Sequence, residues 1–242
     1  MSERTSESVE KAMILAAGLG TRLRPLTDRI PKPLVQVAGK SLIDYSLDLV
    51  RGAGIQDVVV NCHHLADQIE AHIHHIADVS ISISDERAQL LETGGGVFKA
   101  LDQLGPGPFA VLNSDVIVRD GTHHSLKKLI DFWKPDIMDA LLLIQTTTSA
   151  IGGHAHGDYL MDGLGKLSRR AEGTVAPFLF TGVQILKPAL FDGLKEEAFS
   201  LNHVYDRAEK KGRLFGLVHG GQWLHVGTET ALKKAEKKIL GS

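Results

Sequence analysis

The chain has a single cysteine, Cys62, among 242 residues. An intrachain disulfide is excluded, and the expected home is a reducing cytoplasm. Cys62 follows a β-type run, which predicts a buried structural thiol rather than a nucleophile. No apolar run approaches the ~20 residues of a membrane helix, so no membrane partner is expected. No charge of one sign dominates. There are 27 Lys+Arg against 29 Asp+Glu, a formal net charge of −2, and this predicts no nucleic-acid partner. Residues 1–10, MSERTSESVE, lack the apolar core of a signal peptide and predict a loosely ordered leader. Internal repeats and low-complexity tracts are also missing. What is present is an ordinary globular balance, 43% hydrophobic and 23% charged. The expectation is one domain over 11–242.

Strand-like and helix-like segments alternate through the first half. Strands are predicted at 12–16, 57–61, 79–84, 109–113 and 140–146. Helices are predicted at 41–51, at 65–76 with Leu65, Ile69 and Ile73 on one face, at 94–104 and at 126–133. This order implies βαβ units and an α/β fold with a doubly wound, mainly parallel, Rossmann-like sheet. In such sheets ligands sit at the carboxyl ends of the strands. The second half is less regular. A hairpin with loops is expected over 152–173, a strand at 178–186 and a lysine-rich helix at 228–240.

The segment MILAAGLGTRLRPLTDRIPKPLVQV, residues 13–37, has the chemistry of an anion site. Gly18 and Gly20 let backbone N–H groups approach a ligand closely. Arg22 adds a planar cationic fork and Lys32, between Pro31 and Pro33, a point charge; both suit phosphate. Two other glycine-rich loops are excluded. No Lys-Ser or Lys-Thr follows at P-loop spacing, and Leu23 stands where a dinucleotide fingerprint needs its third glycine. Two further segments end predicted strands or open helices: Leu91-Glu92-Thr93-Gly94-Gly95-Gly96 and Leu112-Asn113-Ser114-Asp115. His72, His74 and His75 share one predicted helix, but no Cys or carboxylate completes a zinc pattern there, so a solvated face is expected. His63 and His64 are candidates to line a pocket.

Residues 13–37 resemble the sugar nucleotidyltransferases, whose turn reads close to L-A-A-G-x-G-T-R-L-x-P-L-T…P-K-P-L. The wording L-E-T-G-G-G before Phe98-Lys99-Ala100 is similar to that of N-acetylmuramic acid 1-phosphate uridylyltransferases. The resemblance implies transfer of a nucleotidyl group from a nucleoside triphosphate, UTP above all, to a sugar 1-phosphate, with Mg²⁺ or Mn²⁺ as cofactor. It implies nucleotide contacts from Ala16, Ala17, Gly18, Gly20, Thr21, Arg22, Lys32, Glu92, Thr93, Gly94 and Asn113. Arg22, Lys32 and Asp115 take the catalytic roles. A smaller β subregion would bind the sugar through Gly157, Asp158, Thr181 and Gly182. The nucleotide side would fall in 11–120 and the sugar side in 121–242. Two departures stand out. Ser114 replaces a usual glycine, and in Trp223-Leu224-His225-Val226-Gly227-Thr228 the metal-binding aspartate of W-x-D-V-G-T is His225. His225 is therefore a candidate ligand for a softer divalent ion. Those departures motivate one alternative, a nucleotide-sugar-binding regulatory subunit without turnover; within the enzyme class the nearest alternative is a guanylyl- or thymidylyltransferase acting on a hexose 1-phosphate. No long β-helix extension is present, and the sequence leaves the oligomeric state open.

Overall fold

A computed structural model describes residues 8–153 and 156–241. Most of the expected leader lies outside them; Val9, within it, is buried against the core. The apolar run at the start forms strand β1 (Lys11–Leu15). A cleft loop then leads to the short pair β2 (Gln36–Val37) and β3 (Lys40–Ser41). Helix α1 (Leu42–Gly52) starts where Ser41 Oγ accepts from Asp44 N, and it buries Leu42, Ile43, Leu47 and Val50. Strand β4 (Asp57–Cys62), helix α2 (Ala66–His74) and strand β5 (Ser80–Asp85) follow. Leu65 stands outside its expected helix, as a cap residue with φ 51°. Helices α3 (Glu92–Lys99) and α4 (Leu101–Leu104) return the chain to β6 (Phe109–Asn113).

The rest is more mixed. Strand β7 (Val116–Arg119), helix α5 (Ser125–Phe132) and strand β8 (Ala140–Thr146) precede a hairpin of β9 (Tyr159–Met161) and β10 (Leu167–Arg169). Strand β11 (Phe178–Leu186), helix α6 (Asn202–Lys210), strands β12 (Leu214–Val218) and β13 (Gln222–His225), and helix α7 (Glu229–Leu240) complete the chain.

The main sheet runs β5-β4-β1-β6-β11-β8-β12, with β9 and β10 extending it beside the start of β11. Strands β5, β4, β1 and β6 are parallel; β11 is antiparallel to β6 and β8, and β12 is parallel to β8. Alternate residues face opposite layers. Ile14 joins Leu47, Ile69 and Leu129 on one side, and Met13 joins Val97, Phe109 and Val204 on the other. Helices therefore cover both faces, as the doubly wound reading requires. The register levels the strand ends: Leu15 stands beside Asn61 on β4 and Asn113 on β6. Among the described residues, no helix is long and apolar enough to cross a membrane.

Candidate active site

The level ends of β4, β1 and β6 open into a cleft of about 290 Å³. Gly18, Gly20, Thr21 and Arg22 form one wall. A Cβ added at Gly18 would meet nothing within 4 Å, so its backbone faces open space. Gly20 is different. Its φ is +63°, and a Cβ there would stand 2.9 Å from Thr27 Cγ2 and 3.0 Å from Lys32 Cβ. Thr27 Oγ1 donates to Gly20 O at 2.8 Å and closes the loop. Ala17 lines the cleft; Ala16 does not, but its buried amide donates to Asn61 Oδ1 at 2.7 Å and anchors the loop. Arg22 lines the cleft and makes no hydrogen bond or ion pair with any described residue.

Asp115 lies just past β6, and strand β13 ends beside it. His225 pairs with Val116, and Val226 N donates to Asp115 O at 2.9 Å. Three side chains meet there. Lys32 Nζ donates to Asp115 Oδ2 at 2.8 Å, and His225 Nε2 lies 3.4 Å from the same oxygen. Burial alone would raise the Asp115 pKa, but His225 and Lys32 hold it well below the usual carboxylate range. The imidazole stacks on Trp223, with ring planes 8° apart, and its Nδ1 is 3.4 Å from Gly152 O. With a proton on Nε2 the imidazole donates to Asp115 Oδ2, the contact that lowers the carboxyl pKa. With Nε2 unprotonated, its lone pair and the Asp115 carboxylate offer two ligand atoms 3.4 Å apart. One carboxylate and one imidazole, with phosphate oxygens completing the shell, fit a divalent ion held partly by its substrate. Ser114, at the usual glycine position, donates its hydroxyl to Leu15 O at 2.6 Å and ties β6 to β1.

The second glycine segment divides. Glu92 and Thr93 line the cleft, and Glu92 holds a φ of 58° at the start of α3. Gly94 and Gly95, however, are buried. A Cβ at Gly94 would overlap the Phe199 ring, and one at Gly95 would overlap Glu197 O. The amides of Gly94 and Gly95 both donate to Phe199 O, and Thr93 Oγ1 accepts from Leu201 N at 3.0 Å. Gly94 therefore admits the chain's own 197–201 segment, and its amide is bonded there. Gly96 leaves room for a buried carboxylate: a Cβ there would stand 2.7 Å from Glu86 Oε1. Glu86 accepts from Asn61 Nδ2 at 2.7 Å and from Leu91 N at 3.1 Å. Burial raises its pKa despite those bonds. Through Asn61 and Leu91, one carboxylate fixes both cleft loops. The sequence reading missed Asn61 and Glu86; the polar residue closing the apolar run Val58-Val59-Val60 was the available signal.

The second-half residues divide. Thr181 and Gly182 form a bulge in β11 where the β8 register shifts. Thr181 is fully buried and its hydroxyl donates to Leu143 O at 2.8 Å, so its side chain holds the bulge and faces no ligand. Gly182, with φ +86°, lets Asn113 pack within 2.9 Å of where its Cβ would be. Gly157 admits the Ala176 carbonyl in the same way. Asp158 lines a second pocket of about 370 Å³ with Arg169, Arg170 and Phe180. The histidine candidates are structural. His63 Nδ1 meets Glu86 O, His64 Nε2 meets Thr27 O, and His72 pairs with Asp44. No cluster of three or more metal-ligating side chains occurs among the described residues. Cys62 is buried, and desolvation pushes its thiol up to about 11, an inert state.

Residues 11–150 match the family described as Nucleotidyl transferase. The chain belongs to this family, as an enzyme of its sugar-1-phosphate nucleotidyltransferases. It is 40% identical over 238 residues to the N-acetylmuramate alpha-1-phosphate uridylyltransferase of Caulobacter vibrioides, covering 97% of this chain and 98% of that protein. It is 38% identical over 230 residues to the enzyme of the same name from Neisseria meningitidis serogroup B, covering 93% and 96%. A solved UDP-glucose pyrophosphorylase complexed with UDP-glucose shares the fold with a TM-score of 0.76 at 18% identity, over 96% of this chain and 99% of that one.

Proposed function

We propose that the protein transfers a uridylyl group from UTP to N-acetylmuramic acid 1-phosphate, giving the UDP-sugar and pyrophosphate. The observation that carries this reading is Arg22, a cation with no hydrogen bond or ion pair to any described residue, beside an open glycine loop in the cleft that Lys32 and Asp115 also line, with His225 against Asp115. The near full-length similarity to two proteins named for this reaction supports the choice of substrates.

A phosphate oxygen of the sugar 1-phosphate attacks the α-phosphorus of UTP. The bond to the β-phosphate oxygen breaks and pyrophosphate leaves. The nucleophile is already anionic, so no general base is needed; the task is positioning and charge stabilisation. Arg22 and the amides around Gly18 and Thr21 would hold the departing β- and γ-phosphates. Lys32 would take the charge that grows at the α-phosphate. Asp115 and His225 would hold Mg²⁺ or Mn²⁺, which supplies charge neutralisation between the two anions when bound. Glu92, Thr93 and Asn113, which line the cleft, would face the nucleoside. Within one domain over 11–242, we assign 11–120 to the nucleotide and 121–242 to the sugar, and we place the reaction in the cytoplasm.

The test is pyrophosphate release with UTP, GTP, dTTP and CTP against a panel of sugar 1-phosphates, each with Mg²⁺ and Mn²⁺. Release with UTP and N-acetylmuramic acid 1-phosphate is expected. Release with another pair would name a guanylyl- or thymidylyltransferase instead. Nucleotide-sugar binding without any release would favour the regulatory reading, which His225 motivates.

A further inference from the structure

We propose that Arg170 determines acceptor specificity by binding a carboxylate carried on the sugar, apart from its 1-phosphate. The inference rests on the reading above that the acceptor is a sugar 1-phosphate bearing such a group.

The second pocket adjoins the nucleotide cleft without sharing a lining residue with it. Two ties form the wall between them. Thr93 of the cleft bonds Leu201 N, and the next residue, Asn202, lines the second pocket. Asn113 of the cleft packs on the Gly182 bulge, and Phe180, two residues earlier on β11, also lines the second pocket. A sugar whose phosphate reaches the cleft therefore finds its ring beside Phe180.

Four charged side chains face this pocket: Asp158, Glu172, Arg169 and Arg170. Three have other tasks or a solvated position. Arg169 Nη2 donates to Asn202 Oδ1 at 2.9 Å and lies 3.3 Å from Asp206. Asp158 Oδ2 accepts from Phe180 N at 2.9 Å, and Glu172 lies on the exposed loop after β10. Arg170 differs from all of them. Its Nε donates to Gly157 O at 2.7 Å and its Nη1 to Thr174 O at 3.3 Å. Two backbone carbonyls thus fix the plane of the guanidinium, and no carboxylate among the described residues pairs with it. A held fork with no carboxylate of the described residues bonded to it is a preorganised receptor for a planar anion. The acceptor phosphate belongs to the other cleft, where the α-phosphorus must be. The anion suited to Arg170 is accordingly a second one, and a lactyl ether carboxylate on the ring has that chemistry.

The test compares N-acetylmuramic acid 1-phosphate with N-acetylglucosamine 1-phosphate, which lacks only the lactyl group, at saturating UTP. In Arg170→Gln the KM for the first is expected to rise about 10- to 100-fold, while its kcat and the kinetics of the second stay within about twofold. Arg170→Lys should recover part of the loss. An unchanged KM for UTP shows that the fold and nucleotide cleft are intact. Arg169→Gln, which loosens Asn202 and Asp206, should impair both acceptors alike. If Arg170→Gln lowers both acceptors equally, or leaves their ratio unchanged, the assignment is overturned. A wild-type enzyme that fails to use N-acetylmuramic acid 1-phosphate overturns the functional reading itself, before any variant is made.

Discussion

Two glycine-rich segments flank the cleft, and they use glycine for opposite purposes. Around Gly18 the missing Cβ opens space toward the cleft: nothing lies within 4 Å of where it would be. Around Gly94 and Gly95 the missing Cβ is filled by the chain itself, through Phe199 and the Glu197 carbonyl. The first segment is shaped for a ligand. The second lets the 197–201 strap lock onto helix α3, and so joins the cleft wall to the wall of the second pocket. Glycine in a sequence signals close approach, but not what approaches.

The contrast is sharpest for the residues the two segments carry. Arg22 follows the open loop and has no hydrogen-bond or ion-pair partner among the described residues. Replacing it with Ala should lower kcat/KM by about 10²–10³, as for loss of one preorganised charge-stabilising donor, with Tm within about 2 °C of wild type. Single-turnover kinetics beside a thermal melt would read both. Equal loss of activity and stability would move Arg22 from the chemistry to the fold.

Gly95→Ala tests the other segment. Its new methyl would overlap Glu197 O, a backbone atom that cannot rotate away. Overpacking of this kind costs about 3 kcal/mol, or roughly 6–12 °C in Tm for a domain of this size. A Gly95→Ala protein as stable as wild type would show that the strap gives way easily, and the distinction between the two segments would fall. Next in size is Glu86→Ala, which strands Asn61 Nδ2 and Leu91 N without their acceptor. The expected cost is about 2 kcal/mol, read by urea unfolding. It should come with a raised KM for UTP, because both cleft loops lose their common anchor.

These outcomes bear on how far the sequence could be read. The parallel half was legible because its signals are local: an apolar run, a glycine turn and a capping Ser41 each act within a few residues. The ends of β1 and β6 put Gly18 and Asp115 where the carboxyl-end rule requires. The β7–β13 ribbon, helix α6 and strand β12 were not foreseen. Strand β7 begins one residue after Asp115 and finds its partner only near the C-terminus, so no short-range pattern marks it. Thr181 shows the same limit within the site. Its sequence context allowed a sugar contact or a strand residue, and only the distant Leu143 carbonyl decides that it serves the bulge. The Glu86–Asn61 link depends on register, since Asn61 reaches Ala16 only when β4 and β1 end level.

His225 stands against Asp115 at the edge of the cleft, and a metal comparison isolates its role. An imidazole donor favours Mn²⁺ or Co²⁺ over Mg²⁺ relative to a carboxylate. The ratio of Mn²⁺- to Mg²⁺-supported activity should fall about tenfold in His225→Ala, and His225→Asp should move the preference toward Mg²⁺. Normal Mg²⁺ activity in both wild type and His225→Ala would remove His225 from the metal shell.

The smallest effect belongs to Gly18→Ala, and it completes the contrast. The fold should not register the change, because the added methyl meets no protein atom. What it does meet is the space a phosphate would enter, where it holds the anion away from one loop amide. Losing part of one hydrogen bond is worth about 0.7 kcal/mol, so the KM for UTP should rise about threefold with Tm unchanged. The same Gly→Ala substitution would then tax binding at Gly18 and folding at Gly95. If Gly18→Ala instead lowers Tm as Gly95→Ala does, the loop is packed by protein, and the open wall assigned to the triphosphate must lie elsewhere.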